Sequence, residues 1–469
     1  MIGARTAFVA LASAILGYQI LVPPVVGLAN NADFGKVIGI FDLTGSVEDE
    51  NGWADTRYEF NREKHYWAEF YSSEHVLLAA AIAVNTVLSK DGSFDLRAIG
   101  LIHATLFLIA LNLLWKELEQ APRIQRMLTC GTALFCFSDV MYVSYLNSFY
   151  MDVSAWLFLS IAAMLYLRML RWRRPADACC FAVCCAMAVT SKAQHAVFGF
   201  WLAALVVVAG HQLWPKQRVR IAAFAVCVTL LAGVWMAKSA PPDYPSRGVF
   251  TMVFYQILPY SKNLDRSIRD LGLDDSYRRY VGMHAFARGS PMSDAAFIEP
   301  FRRRISYRGL AWFYVTHPGV AYMVLRRSLS EAGVQRPYLG NFDVHTGYPR
   351  FQASRAFALW SDLKRRAFDQ RGPRYFFTFL ALAAAVAALL AAGRRTLPRG
   401  AVAGGVALIG MAFTALCLAS LADALDVPRH HLLFYALFDM LLVLLVHLCV
   451  GAWLARVRFH RSRPRADRL

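Results

Sequence analysis

Long apolar runs separated by short basic or mixed turns set the pattern of the chain. Runs of about 20 residues match helices that cross a ~30 Å hydrocarbon core. The first, 7–28, follows Arg5 and is broken only by Pro23-Pro24. Its Gly-Leu-Ala end resembles a signal cleavage site, but the run is long for one and predicts an uncleaved anchor that starts in the cytoplasm. Runs over 98–114, 127–146 and up to residue 170 follow. The stretch 178–210 is too long for one helix and is interrupted by Ser191-Lys192-Ala193-Gln194-His195, which predicts two short spans and a turn. Another run covers 221–237, and 375–392, 401–421 and 432–454 close the chain. Two stretches are ambiguous. As a helix 76–88 reaches only about 20 Å, and 309–325, with His317-Pro318 at its centre, is apolar enough to pass for a span.

Basic residues decide both cases. If 76–88 stays on the outer surface, Lys116, Arg123 and Arg126 fall on the cytoplasmic side. So do Arg168, Arg171, Arg173 and Arg174, then Lys216, Arg218 and Arg220, then Arg394, Arg395 and Arg399, and the tail 456–468. If 76–88 crossed, these clusters would face outward, against the bias of short loops. It is therefore read as a juxtamembrane helix. The stretch 309–325 is read as an interfacial helix flanked by Arg308 and Arg326-Arg327. The expected fold is an all-α polytopic membrane protein of about ten transmembrane helices. It divides into a transmembrane module with outer loops (1–238), a periplasmic or interfacial segment (239–374), and closing helices with a basic tail (375–469). No internal repeat is visible, which weakens the case for a secondary transporter.

Composition agrees with that class. Of 469 residues, 57% are hydrophobic and 17% charged, and the mean hydropathy is +0.38. The net charge of +18 could point to nucleic acid, but the basic residues punctuate apolar runs instead of forming a soluble stripe. All nine cysteines lie within apolar runs, where a thiol packs as a small hydrophobe, and Cys179, Cys180, Cys184 and Cys185 match no zinc spacing.

Polar chemistry gathers in the outer turns. Asn147, Ser148, Tyr150 and Asp152 sit in an aromatic turn between two spans. Asp33, Asp42 and an acidic patch (Glu48, Asp49, Glu50) follow the first run. Lys192, Gln194 and His195 form the third turn, and Arg429, His430 and His431 the last. Carboxylates beside cations suit group transfer from a phosphate, in which a carboxylate takes a proton from an acceptor hydroxyl while cations hold the phosphate leaving group. Each residue also has a plainer reading. Asp33 and Asp152 fit helix caps, Lys192 fits a snorkelling side chain, and Arg429-His430-His431 fits a polar turn. Asp139, Asp439 and His103 lie within apolar runs, where such groups are costly and need a partner or a cavity.

The early Asp of a large first outer loop, the juxtamembrane helix, Arg97 opening the next span and the acidic second turn resemble the common module of GT-C membrane glycosyltransferases. Asn31-Ala32-Asp33-Phe34-Gly35, Tyr145-Leu146-Asn147-Ser148-Phe149-Tyr150-Met151-Asp152, Ser191-Lys192-Ala193-Gln194 and Arg336-Pro337-Tyr338-Leu339-Gly340-Asn341 are similar to bacterial glycan-biosynthesis hexose transferases of the WsfD type. The resemblance implies hexose transfer from a polyprenyl-phosphate-linked donor to a surface glycan or glycolipid, at the periplasmic face of the bacterial inner membrane. It implies Asp33 and Asp152 as catalytic acids; that family has Glu where Asp152 stands, which keeps the charge and shortens the reach. Lys192, Gln194, His195, Arg429 and His430, with Arg97, Tyr150 and Asn147, are then expected to bind substrate or phosphate. The expected partners are the lipid-linked donor, the glycan acceptor and membrane lipid, with no nucleic acid. No Asp-x-Asp pair occurs in the first two outer loops, so neither a metal nor another cofactor is expected. The competing readings are a lipid-linked glycan flippase or transporter, using Asp139, Asp439 and His103 as a coupling path, and a polymerase of O-antigen type.

Overall fold

The apolar runs fold as helices, two of them broken within the run, with further amphipathic helices between them. In chain order these are α1 (Ala4–Leu21), α2 (Glu74–Leu88), α3 (Arg97–Glu117), α4 (Arg123–Phe137), α5 (Val140–Leu146), α6 (Asp152–Trp172), α7 (Pro175–Val189), α8 (Phe198–Leu213) and α9 (Arg218–Ser239). They continue with α10 (Tyr307–Thr316), α11 (Pro318–Ala332), α12 (Leu359–Phe368), α13 (Gly372–Ala392), α14 (Arg399–Leu421) and α15 (Leu432–Ser462). Helix α6 shows the logic: Asp152 opens its first turn, Arg171 closes its last, and Arg173 stops it in the left-handed conformation. This computed structural model describes residues 3–45, 52–61, 70–213, 216, 218–241 and 243–462. The acidic patch Glu48, Asp49 and Glu50 lies outside them, as does the end of the basic tail.

Among the described residues, seven helical runs are individually long and apolar enough to cross a membrane: α1, α3, α6, Ala193–Leu213 (a 3-10 turn leading into α8), α13, α14 and α15. The pair α4–α5 makes an eighth, bent by 64°. Helices α7 and α9 stand where the two remaining crossings were expected, α7 being short for a full crossing. The protein is a multi-pass, all-α membrane protein.

Two expectations change in detail. Asp139 does not sit inside a continuous helix; it marks the bend. Its carboxylate caps α5 by accepting from the Met141 amide at 2.9 Å, and its other oxygen accepts from the Ser361 amide at 2.9 Å. The apolar stretch 309–325 is not one interfacial helix either. Pro318 disfavours helical geometry at His317, so the stretch splits into α10 and α11. Helix α11 then packs along α13 and α14.

Helix α2 packs on α3, while α6 packs between α3 and α7, and α15 lies against α4, α13 and α14. One continuous apolar core runs through these helices. A second, separate core lies largely in the 249–324 segment. Three short antiparallel strands from the segment between α1 and α3, β1 (Leu43–Gly45), β2 (Arg57–Phe60) and β3 (Phe94–Asp95), form a small sheet with Leu43 opposite Phe60 and Arg57 opposite Asp95. The segment leaving α1 is held from two sides. Asn147 donates to the Ile20 and Val26 carbonyls, and the Asn341 amide to Gly27 at 2.7 Å. At Gly340 any β-carbon would lie 1.9 Å from the Gly52 carbonyl, so only glycine fits there.

Candidate active site

Six helix ends meet at one pole of the bundle: the ends of α1, α7 and α14 and the starts of α6, α8 and α15. The turns that join them carry the polar cluster. Asn30 accepts from the Phe34 amide at 3.1 Å and starts the short helical turn Gly35–Ile38, which leaves Asp33 projecting from its start. The Phe34 ring meets Phe149 and Tyr150 edge-on, at 5.3 and 4.7 Å between centroids, and so docks the first loop on the second turn.

Arg429, in the short helix Val427–His430, lies at the centre. Its Nη2 is 2.6 Å from Asp33 Oδ2, its Nε donates to Asp426 Oδ2 at 2.7 Å, and its Nη1 is 3.9 Å from Asp152 Oδ2. The guanidinium also lies 4.9 Å above the Tyr150 ring. Asp33 takes a second ion pair from Lys36. Asp152 takes Lys192 at 3.4 Å and His195 Nε2 at 3.3 Å, and His195 Nδ1 is fixed by the Ser191 hydroxyl at 2.8 Å. Asp423 accepts from Gln194 at 3.4 Å. His430 Nδ1 is 2.7 Å from Asp423, although that approach is poorly directed for a hydrogen bond. Asp152, Lys192, His195 and Arg429 are buried, while the Asp33 side chain keeps 19% of its exposure and is the accessible member of the carboxylate pair.

Charges set the basicity. Burial alone would raise the Asp33 carboxyl, but Arg429, then Lys36 and Lys192, outweigh it and hold that carboxyl well below the usual carboxylate range. Asp423 behaves alike: burial raises it, and His430, Lys192 and Arg429 bring it well below normal. For Arg429 burial disfavours the charge, and Asp33 and Asp426 overcome it, so the guanidinium stays ionised. Tyr244, whose hydroxyl is 3.4 Å from Lys36 Nζ, is pushed up to about 12 chiefly by burial. A narrow apolar slot lined by Phe70, Met151, Met236, Ala240 and Tyr244 reaches Lys192 and Gln194.

The structure thus brings Asp33, Asp152, Lys192, Gln194, His195, Arg429, His430 and Tyr150 together. It places Arg97 and Asn147 elsewhere. Arg97 Nε binds Asp95 at 2.9 and 3.0 Å, two residues away, and Asn147 holds the segment that leaves α1. Asp42 caps a 3-10 turn beside the sheet and is not part of the cluster. Asp423, Asp426 and Lys36 lie in the turns marked by the sequence but were not among the expected site residues, though Asp33–Lys36 and Asp426–Arg429 share the i,i+3 spacing that pairs residues on a helical turn.

The membrane-embedded polar residues have partners too. Asp439 Oδ2 accepts from the Tyr142 hydroxyl at 2.6 Å, Trp360 at 2.9 Å and Lys364 at 2.9 Å. His103 lies between the Leu146 carbonyl and Glu74, at 2.7 Å from each. Among the described residues, no three His, Cys, Asp or Glu side chains are grouped to hold a metal ion.

Among solved structures, an oligosaccharyltransferase from Archaeoglobus fulgidus, tethered through a disulfide to an acceptor peptide containing the NVT sequon, is similar with a TM-score of 0.42 and 10% identity. The match covers 98% of this chain and 51% of that one, so the chain spans about half the length of that structure. No curated protein matches the chain. Residues 2–466 match the model of the YfdI N-terminal transmembrane domain, and the chain belongs to that family.

Proposed function

We propose that the protein is a membrane glycosyltransferase that moves a hexose from a polyprenyl-phosphate donor to a surface glycan or glycolipid, at the periplasmic face of a bacterial inner membrane. The observation that carries this reading is the pairing of an accessible carboxylate, Asp33, with a buried one, Asp152, through a shared guanidinium beside an apolar slot. Asp33 takes the proton of the acceptor hydroxyl. Asp152 orients Lys192 and His195. Lys192, at the end of the slot, meets the phosphate of the donor. Gln194 and His430 stand beside it as further donors, and Tyr150 supports Arg429.

Asp33 is a weak base while three cations hold it. A phosphate that shares Arg429 and Lys192 relieves that hold and raises the carboxyl toward the range where it accepts a proton. Four carboxylates (Asp33, Asp152, Asp423, Asp426) face three cations (Lys36, Lys192, Arg429), so a proton on His195 favours binding of a further anion. The flippase reading needs a polar path through the membrane, whereas Asp139, Asp439 and His103 are each engaged by fixed partners.

Purified protein in detergent, offered polyprenyl-phosphate hexoses and lipid-linked glycan acceptors, should yield a transfer product that Asp33→Asn does not make. Product formation at equal rates by both proteins would refute the assignment.

A further inference from the structure

A second cavity runs from the middle of the bundle, at Leu159 and Met440, to the pole opposite the carboxylate cluster, at Leu118 and Leu397. It holds about 310 Å³ and is walled by α3, α4, α6, α8, α14 and α15, with Leu114, Leu167, Gly404 and Leu444 among its lining residues. Since α6 starts at Asp152, Leu167 is about 22 Å along the helix from the cluster. The walls are almost wholly apolar, and their few polar groups already have partners. Thr129 Oγ1 is 3.2 Å from His447 Nδ1, and the Tyr166 hydroxyl donates to the Gly400 carbonyl at 3.1 Å. Water needs two to four polar partners and finds none free here. Leu167 is 37% exposed, so the cavity opens sideways between membrane helices.

A cationic rim stands at this opening. Arg173 and Arg174 follow α6, while Arg394, Arg395 and Arg399 flank the lining residues Leu397 and Ala401. The two groups meet, because a β-carbon on Gly400 would lie 2.6 Å from Leu170. All five arginines are exposed, and among the described residues none is paired to a carboxylate. Arg168 and Arg171, one turn further in, are neutralised by Asp177 and Glu117.

We propose that this pole binds an anionic glycerophospholipid, with an acyl chain in the cavity and the phosphate on the arginine rim. The hydrocarbon chain matches dry apolar walls inside the bilayer, and the headgroup supplies the charge that the rim lacks. This site does not rest on the transferase reading.

The test is native mass spectrometry of the protein purified in a neutral detergent, with extraction and identification of bound lipid. Wild-type protein should carry one acidic phospholipid, enriched over zwitterionic lipid relative to the source membrane. Ala163→Trp, which fills the cavity, should lose it; Leu167→Gln, which puts an amide at the mouth, serves if that variant does not fold. Removing Arg394, Arg395 and Arg399 together, as glutamines, should lower the acidic-lipid enrichment by roughly fivefold per arginine. Wild-type protein without bound lipid, an unchanged enrichment in the triple variant, or a polyprenyl lipid in place of the phospholipid would each overturn the proposal.

Discussion

Replacing Arg429 by Lys tests the core of the site, because it keeps the charge and removes the fork. The guanidinium reaches Asp33 at 2.6 Å, Asp426 at 2.7 Å and Asp152 at 3.9 Å in three directions. A single ammonium cannot satisfy that set, so at least one charge-assisted bond is lost, worth about 1.5–3 kcal/mol. If that bond persists in the transition state, turnover falls roughly ten- to a hundredfold. The pH profile should move as well. Asp33 is depressed in the folded protein, so its ionised form contributes stability above the ordinary carboxylate range, lost only as pH falls through the depressed value. In the wild type, lowering the pH from 7 to 5 should therefore cost nothing through Asp33. Arg429 is the strongest of the cations that lower it, so in Arg429→Lys the acid limb should move up toward the ordinary value, and in Arg429→Ala further still. The assay is initial rate against pH with a polyprenyl-phosphate hexose, alongside thermal unfolding in detergent. Arg429→Ala breaks a buried set of pairs and should also lose about 3–5 kcal/mol of stability. Wild-type turnover together with an unmoved acid limb in Arg429→Lys would refute the view that this guanidinium tunes Asp33.

Asp33→Asn keeps the shape of the side chain and should cut turnover by about 100- to 10,000-fold, with some loss of thermal stability as the ion pairs to Arg429 and Lys36 go; a fall in turnover of less than tenfold would remove Asp33 as the base. Lys192→Ala should raise the donor's apparent KM by roughly tenfold while leaving the acceptor's unchanged, the loss of one charge-assisted bond; equal effects on both substrates would count against a phosphate contact. Asp439→Ala leaves Lys364 buried and unpaired and should cost about 3–5 kcal/mol by chemical denaturation, whereas the double variant Asp439→Leu/Lys364→Met should recover most of it; a double variant no better than the single one would sink that account. In a cysteine-free background, Tyr338→Cys should react with an impermeant thiol reagent from the periplasm and Arg395→Cys only after permeabilisation; the reverse labelling would invert the topology.

Much of this architecture is legible in the sequence because membrane helices announce themselves locally. Apolar length and basic turns are properties of contiguous residues, and they marked the turns that carry Asp33, Asp152, Lys192 and Arg429. The features that escaped depend on residues far apart or on a single backbone choice. Asp139 lies in an apolar run, and only the Ser361 amide, brought from the distant start of α12, shows why the helix bends there. The apolar stretch around Trp312 reads as one helix until the proline at 318 divides it. Arg97 reads as a site residue because it opens a span, but Asp95 claims it two residues away. Arg429 reads as a free cation for phosphate. Its two nearest carboxylates, one within its own turn and one from the first loop, show that it also bridges acids.

Helix α12 carries Lys364 into the core, where it meets Asp439, 75 residues later in the chain. Synthesis runs from the N-terminus, so the ribosome has released α12 long before that aspartate is made. Until α15 inserts, Lys364 lacks its Asp439 partner, and Asp33 and Asp152, already paired with Lys36 and Lys192, lack Arg429 over the same interval. The last hairpin of the chain therefore completes two buried ion-pair sets at once. A nascent chain stalled before it holds Lys364 without Asp439 and an acid cluster without its central guanidinium.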